Sequence, residues 1–143
     1  MATVDDDVLI SRMAPLDDPL TRFFWTSGAD GQLRFLHCAT CGYFSHPPGP
    51  RCARCLSAEL SPRAVSGLGT VHTFTVNHQQ WVPGQAPYVI AIVRLDEQED
   101  LQLTTNVCGC DWAEVTVGMR VRVCFLHRND VWYPLFEPVQ EAR

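Results

Sequence analysis

The clearest alternation of apolar and polar residues lies in the second half of the chain, and it predicts β-strands. Residues 120–128 read RVRVCFLHR, which places Val121, Val123 and Phe125 on one face of a strand. Residues 88–95 read YVIAIVRL and are apolar on both faces, as is typical of a central strand that is covered on two sides. These segments predict that the second half of the chain folds around a buried sheet.

Three further segments also read as strands. Residues 65–78 contain a Gly-x-Gly before alternating β-branched and aromatic residues, which predicts a long bent strand with a bulge near Gly67–Gly69. Residues 101–107 alternate similarly, and residues 131–138 form a last strand in which Pro134 indicates a sheet edge. Five short strands with turn residues between them predict a small closed barrel, and a five-stranded OB-fold is the natural candidate. The pattern alone does not distinguish it from an SH3-like barrel.

The N-terminal part of the chain has helical rather than strand periodicity. Apolar residues at helical spacing predict a short helix at about 19–27 that ends at Gly28. Three aromatic side chains make this helix more apolar than a short surface helix needs to be. These side chains are Phe23, Phe24 and Trp25. We expect them to pack either on the main domain or on a partner protein.

Between the helix and the barrel, residues 38–55 read CATCGYFSHPPGPRCARC and contain two Cys-x-x-Cys pairs. Each pair forms a tight turn that directs two thiolates at one ion, and four thiolates give the closed tetrahedral site typical of structural zinc. Paired cysteines also hold iron in rubredoxin, which makes iron the competing metal. The spacing therefore predicts a Zn²⁺ site that stabilises the fold, with the ligands Cys38, Cys41, Cys52 and Cys55.

Composition and charge narrow the classes of function. The formal net charge is −5 and the chain contains no lysine, which argues against a general nucleic-acid binder and excludes a lysine Schiff base. Seven cysteines without a secretory leader favour metal binding in a reducing compartment, so we expect a cytoplasmic protein. No apolar stretch approaches the roughly 20 residues that span a bilayer.

Four arginines flank the cysteine pairs in the sequence. They predict either an anion site, for instance for a phosphate, or simple compensation of the negative charge of zinc bound by four thiolates. These arginines are Arg34, Arg51, Arg54 and Arg63.

Other residues with chemical potential give weaker signals. No nucleophile and base pattern is present, so no catalytic residue is predicted in this chain. Cys108, Cys110 and Cys124 read as thiols without a metal. Trp81 lies in the loop between two predicted strands, where it either contacts a partner or packs on its own barrel.

The order of these motifs resembles the DUF35 family. The motifs are FFW, GADGQLRFLHCATCG, CARC, SGLGTVHTFTV, PYVIAIVRL, VGMRVRVCF and LFEP, and they extend over nearly the whole chain. The resemblance implies an N-terminal helical segment at 1–32, a rubredoxin-like zinc ribbon at 33–58 and an OB-fold at 59–143. The fold class we expect is therefore mainly β.

The resemblance also implies a function. DUF35 proteins are associated with acyl-CoA metabolism and support thiolase-superfamily partners, including aldolases that shorten steroid side chains. We therefore expect a non-catalytic accessory subunit in a hetero-oligomer that shares an acyl-CoA with its partner, with the four arginines as candidate contacts of the CoA phosphates. The alternatives are a free-standing acyl-CoA-binding protein, an OB-fold and zinc-ribbon nucleic-acid-binding protein, and a rubredoxin-type electron carrier.

Overall fold

A computed structural model describes residues 13–140 of the chain. One short α-helix, α1, runs over Arg22–Thr26 and continues as a 3-10 turn over Ser27–Asp30. A second 3-10 turn lies at Trp112–Glu114. The strands in chain order are β1 Arg34–Cys38, β2 Phe44–Ser45, β3 Leu60–Ala64, β4 Leu68–Asn77, β5 Tyr88–Leu95, β6 Gln102–Thr105, β7 Arg120–Arg128 and β8 Val131–Pro138.

The strands form two antiparallel sheets. The smaller sheet has the order β2-β1-β3, and it carries the cysteine pairs in its loops. The larger sheet has the order β6-β5-β4-β7-β8. The mainly β fold with one short helix, a four-cysteine ribbon and a five-stranded sheet confirms the fold class expected from the sequence.

The larger sheet curls until its two edges meet. The segment after β6 forms a parallel bridge between Val107 and Phe136 of β8. The N–H of Cys108 donates to the carbonyl of Phe136 at 2.8 Å, and the N–H of Phe136 donates to the carbonyl of Asn106 at 3.0 Å. These bonds close the barrel and cover the backbone groups that an open sheet edge would expose.

Apolar side chains of the barrel and of the preceding segment share one core. Val71, Val93 and Val121 of the barrel are fully buried. Phe35 of β1 and Leu33, the residue before β1, pack in the same core. Residues of β1 and of the barrel strands supply this core from the faces that point inward, because successive side chains of a strand point to opposite faces. The smaller sheet is therefore attached to the barrel through its own first strand.

Two details of the barrel differ from the sequence prediction. The register shift in β4 lies between Val71 and Thr73 and not at the Gly-x-Gly. Gly67 has a φ of +79°, and a Cβ at Gly69 would lie 2.7 Å from the backbone oxygen of Arg94. Both glycines therefore serve a turn and a close backbone approach rather than the bulge.

The helix is shorter than predicted and ends elsewhere. It runs over Arg22–Thr26, and the following 3-10 turn is terminated by Gly31, which has a φ of +80°. Gly28, the predicted end, is instead buried where a Cβ would lie 2.4 Å from Phe125. The first 12 residues of the predicted N-terminal segment lie outside the described residues.

The predictions for the last strands agree with the structure. Segments 88–95, 120–128 and 131–138 are β5, β7 and β8, and β8 with Pro134 is the last strand of the sheet order. Within residues 13–140, no helix is long and apolar enough to cross a bilayer.

Candidate functional site

The four cysteine sulfurs of the two Cys-x-x-Cys pairs converge. They are Cys38, Cys41, Cys52 and Cys55, and their Sγ atoms all lie within 4.8 Å of one another. The distances Cys38–Cys55 and Cys41–Cys52 are both 3.6 Å. Sulfurs about 2.3 Å from a tetrahedral zinc ion are separated by about 3.8 Å, so the arrangement fits a four-thiolate metal site.

The two pairs form turns of the same shape. The N–H of Gly42 donates to the carbonyl of Cys38 at 2.8 Å, and the N–H of Leu56 donates to that of Cys52 at 3.0 Å. The residue after each pair has a positive φ, 78° at Gly42 and 65° at Leu56. Glycine adopts this conformation without steric cost, whereas leucine rarely does.

Backbone amides prepare one sulfur of each pair for metal binding. Hydrogen bonding, mainly from the N–H of Cys41, lowers the pKa of Cys38 to about 6. The N–H of Cys55 is the main cause of the lowered pKa of Cys52. At Cys41 the N–H of Tyr43 favours the thiolate, but burial and bonds to the neighbouring thiols outweigh it and raise the pKa to about 12. Backbone hydrogen bonds therefore favour the thiolates of Cys38 and Cys52, whereas Cys41 stays a thiol until a cation binds.

Side-chain hydrogen bonds fasten the ribbon to the barrel. The Gln98 amide group accepts from the N–H of Phe44 and donates to its carbonyl, both at 2.9 Å. The Tyr43 hydroxyl donates to the Asp100 carboxylate. The turn between β5 and β6 thus pairs with β2 much as a neighbouring strand would.

Two of the four flanking arginines face away from each other. Arg34 forms a two-point ion pair with Asp30 through contacts of 2.6 and 3.0 Å. Arg63 is the register partner of Phe35, the residue after Arg34, so the two arginines lie on opposite faces of the smaller sheet. Arg63 contacts the Nε2 atom of His37 at 3.3 Å.

The other two arginines lie on the ribbon. Arg51 donates to the backbone carbonyl of Leu56 at 3.1 Å. The guanidinium of Arg54 lies 5.9 Å from the centre of the Tyr43 ring and lines a cavity together with Arg94 of β5. The structure thus places Arg54 beside an arginine that the sequence analysis did not select. No local signal marks Arg94, because its position depends on which face of β5 the ribbon covers.

The four predicted interface aromatics differ in exposure. Phe24 is 4% exposed and packs against Phe35, so it is a core residue and the interface prediction does not hold at this position. Phe23 and Trp25 are half-buried, and the Trp25 ring packs edge-on against Tyr133. Trp81 is 65% exposed.

His46 is a residue that the sequence analysis missed. It lies between the cysteine pairs and packs against the rings of Phe24 and Phe35 at 5.0 Å. Burial lowers its pKa to about 4, so the ring is neutral at physiological pH. It lines a cavity of about 560 Å³ between the helical segment, the ribbon and the barrel. In the sequence, His46 is a histidine in a proline-rich connection, and this pattern is too common to indicate a functional site.

The remaining three cysteines do not join the quartet. Cys108 and Cys124 place their sulfurs 3.6 Å apart, and hydrogen bonding to Cys108 followed by burial raises the pKa of Cys124. Burial likewise raises the pKa of Cys110. Cys124 and Cys110 are therefore thiols at neutral pH.

A four-cysteine ribbon attached to a closed five-stranded barrel defines a zinc-ribbon and OB-fold protein. Two family models match the chain: "ChsH2, rubredoxin-like zinc ribbon domain" over residues 25–61 and "ChsH2, C-terminal OB-fold domain" over residues 62–126. The chain belongs to the DUF35 family.

Relatives of known name support this assignment. The chain is 35% identical over 127 residues to the 3-oxo-4,17-pregnadiene-20-carboxyl-CoA hydratase alpha subunit of Mycobacterium tuberculosis. The aligned residues make up 88% of this chain and 40% of the relative. It is 33% identical over 93 residues to a DUF35 domain-containing scaffold protein of Methanocaldococcus jannaschii, covering 63% of this chain and 64% of that protein. The chain thus spans about two fifths of the length of the hydratase subunit.

One solved structure is similar over nearly its full length. A chain of the structure named "Ltp2-ChsH2(DUF35) aldolase" superposes with a TM-score of 0.78 and 30% sequence identity. The match covers 87% of this chain and 98% of that one.

Proposed function

We propose that this protein is a non-catalytic accessory subunit of an acyl-CoA-processing complex. It supports a thiolase-superfamily partner, an aldolase that cleaves the side chain of a steroid-type CoA ester, and it helps to form the partner's CoA site. The observation that carries the proposal is the similarity to the DUF35 chain of the Ltp2-ChsH2 aldolase structure over 98% of that chain. The relative named as a hydratase alpha subunit supports the same acyl-CoA setting.

The metal in this proposal is a structural Zn²⁺. Its ligands are Cys38, Cys41, Cys52 and Cys55, whose sulfur separations suit tetrahedral coordination. Four protein thiolates complete a zinc coordination sphere, so such an ion has no position for water or substrate and serves folding. When bound, the ion compensates the negative charge of the thiolates and substitutes for the apolar core that the ribbon is too small to build.

The partner is expected to contact the most exposed aromatic residue of the predicted set. Trp81 is 65% exposed in the loop that connects β4 and β5. Large, rigid aromatic side chains dominate the binding energy of many interfaces. Phe23 and Trp25, half-buried on the helical segment, are second candidates.

The CoA contact is expected at Arg54. Arg34 is already paired with Asp30, whereas Arg54 has no carboxylate within ion-pair distance among the described residues. A guanidinium of this kind can donate two hydrogen bonds to a phosphate. Arg51 and Arg63 are the weaker candidates, because each already contacts a group of its own ribbon.

Co-expression with a thiolase-superfamily protein encoded beside this chain tests the proposal. We expect the two proteins to elute together in a fixed ratio, and Trp81→Ala to weaken that association by about tenfold or more. Trp112→Ala is the matched control, because Trp112 is also exposed, at 40%, but does not belong to the predicted set. A monomer that binds acyl-CoA alone and recruits no thiolase-like protein would instead support the free-standing alternative.

Arg54 can be tested in the same complex. Arg54→Ala is expected to raise the Kd for a CoA ester about tenfold, whereas Arg51→Ala should leave it nearly unchanged. Equal affinity of both variants and the wild type would assign the ribbon arginines to charge compensation only.

A further inference from the structure

Two cavities between the ribbon and the barrel form one groove. The first has a volume of about 560 Å³ and the second of about 680 Å³, and Asp100 and Gln102 line both of them. We call this space the ribbon–barrel groove. Its floor is the outer face of β5 and β6, and its roof is the ribbon.

One half of the groove is largely apolar. Trp25 of the helical segment, Pro47 and Pro48 of the ribbon, and Ile92 and Leu103 of the barrel line it. Concave surfaces with several apolar walls and few polar groups are typical of small-molecule sites.

The other half of the groove carries charge. Arg54 and Arg94 line it together with Glu99 and Asp100. Asp100 accepts a hydrogen bond from Tyr43, and in residues 13–140 no carboxylate lies within 4.0 Å of either guanidinium. Arg94 contacts Nδ1 of His72 at 3.1 Å through one terminal nitrogen. Neither cation is neutralised by a carboxylate of the described residues, so both are placed to bind an anionic group.

Two residues that line the groove have a buried polar atom without a partner. Among the described residues, two buried side-chain nitrogens lack a hydrogen-bond partner, Nδ1 of His46 and Nε of Arg94. Buried polar atoms nearly always have a partner, and the exceptions indicate a missing water, ion or ligand. His46 lines the apolar half and Arg94 the charged half, so each half has one residue of this kind.

The position of the groove in the fold agrees with this inference. The barrel strands in chain order are β4 to β8, so β5 and β6 are the second and third. In OB-folds the face of the second and third strands binds oligonucleotides and oligosaccharides, so it is a surface that accepts ligands. In this chain Ile92 and Arg94 present that face to the groove, because they alternate along β5 with the buried Val93 and Leu95.

We propose that the ribbon–barrel groove binds an anionic amphiphile. Its apolar part lies among Trp25, Pro48 and Ile92, and its carboxylate or phosphate lies between Arg54 and Arg94. This ligand site belongs to the chain itself and does not require a partner. The proposal adds to the proposed function by giving the accessory subunit a ligand site of its own.

Calorimetric titration of the zinc-loaded full chain tests the site with four probes below their micelle concentrations. The probes are decyl phosphate, decanoate, decanol and inorganic phosphate. We expect decyl phosphate to bind at least about tenfold more tightly than decanol or inorganic phosphate, because it alone fills both halves with a dianion. Decanoate tests whether a carboxylate suffices. Equal affinity for decyl phosphate and decanol, or no binding by any probe, would overturn the proposal.

Two variants separate the halves of the groove. Arg94→Gln is expected to weaken decyl phosphate binding about tenfold and to leave decanol unchanged, whereas Ile92→Asn should weaken both. Arg122→Gln is the matched control, because Arg122 lies on β7 and lines a different cavity. An Arg94→Gln variant that binds as the control does would contradict the assigned anion site.

A second readout locates the apolar part without changing the charge. Trp25 lines the apolar half, so 10-bromodecanoate, whose bromine quenches nearby indoles, should quench Trp25 fluorescence. Trp25→Phe is expected to remove most of the quenching and Trp112→Phe very little. The reverse result would place the chain of the probe elsewhere and overturn the proposal. Arg94→Gln should still elute with the thiolase-like partner, which distinguishes failure of the groove from failure of the proposed function.

Discussion

The ribbon and the barrel are built from different interiors. Between residues 38 and 58 the fully buried side chains are those of Cys38, Ser45 and Cys52. In the barrel they are large and apolar, and Val71, Val121 and Phe136 have no exposed surface. The segment with the cysteine pairs therefore has sulfur in its interior, whereas the barrel has hydrocarbon. Folding of the ribbon thus depends on metal coordination, and folding of the barrel depends on apolar burial.

Removal of one ribbon sulfur should have the largest effect. Cys52→Ser is expected to abolish stoichiometric zinc binding and to unfold the ribbon, since structural zinc contributes about 10–16 kcal/mol in comparable sites. The barrel strands should keep their protection in amide hydrogen exchange. Cys110→Ser is the control, because this half-buried thiol lies outside the quartet. A Cys52→Ser variant with a protected ribbon would erase the distinction between the two regions.

A change in the barrel interior should give the opposite result. Phe136→Ala removes a fully buried ring and is expected to lower the free energy of unfolding of the barrel by about 3–5 kcal/mol, measured by denaturant titration. Val117→Ala should cost less than about 0.5 kcal/mol, because Val117 is 66% exposed. Equal losses for the two variants would contradict burial as the stabilising force. Zinc stoichiometry should remain one in both.

The contact between the two regions should have an intermediate effect. Gln98→Ala removes two hydrogen bonds to the backbone of Phe44 and is expected to cost about 1–3 kcal/mol. Amide exchange of β2 should rise more than that of β5, because the ribbon loses its attachment. Gln79→Ala, in the exposed β4–β5 loop, serves as the control. If exchange rises equally in both strands, the regions unfold as one unit.

The smallest expected effect compares the two cysteine turns. Leu56 is 67% exposed at a φ of 65°, the conformation that Gly42 adopts in the first turn. Leu56→Gly should stabilise the zinc-loaded ribbon by up to about 1 kcal/mol, because the left-handed conformation is unfavourable for leucine and little packing is lost. Gly42→Ala should destabilise it by a similar amount. A loss of stability in Leu56→Gly would show that the leucine side chain makes an important contact.

Local patterns were sufficient for some features of the molecule. The Cys-x-x-Cys spacing depends only on a short turn, and it predicted which four sulfurs converge. The continuous apolar run of β5 and the alternation along β7 predicted the bounds of both strands. In these cases the residues of one short continuous segment determine the structure.

Features that depend on register were beyond the sequence. Arg34 and Arg63 are close in sequence to the cysteines, yet they lie on opposite faces because Arg63 pairs with Phe35. The arginine beside Arg54 is Arg94, which is distant in sequence and meets it only because the ribbon covers that face of β5. The bulge likewise lies at Val71–Thr73, where the neighbouring strands decide the register.

Amide spectra of the isotope-labelled full chain, recorded with bound zinc and again after chelation, test most directly whether metal folds the ribbon and burial folds the barrel. We expect chelation to collapse the resonances of residues 38–58 into the unfolded region, whereas those of β5 and β7 remain dispersed. A metal-free chain with a dispersed ribbon, or a chelated chain that loses every barrel resonance, would contradict it.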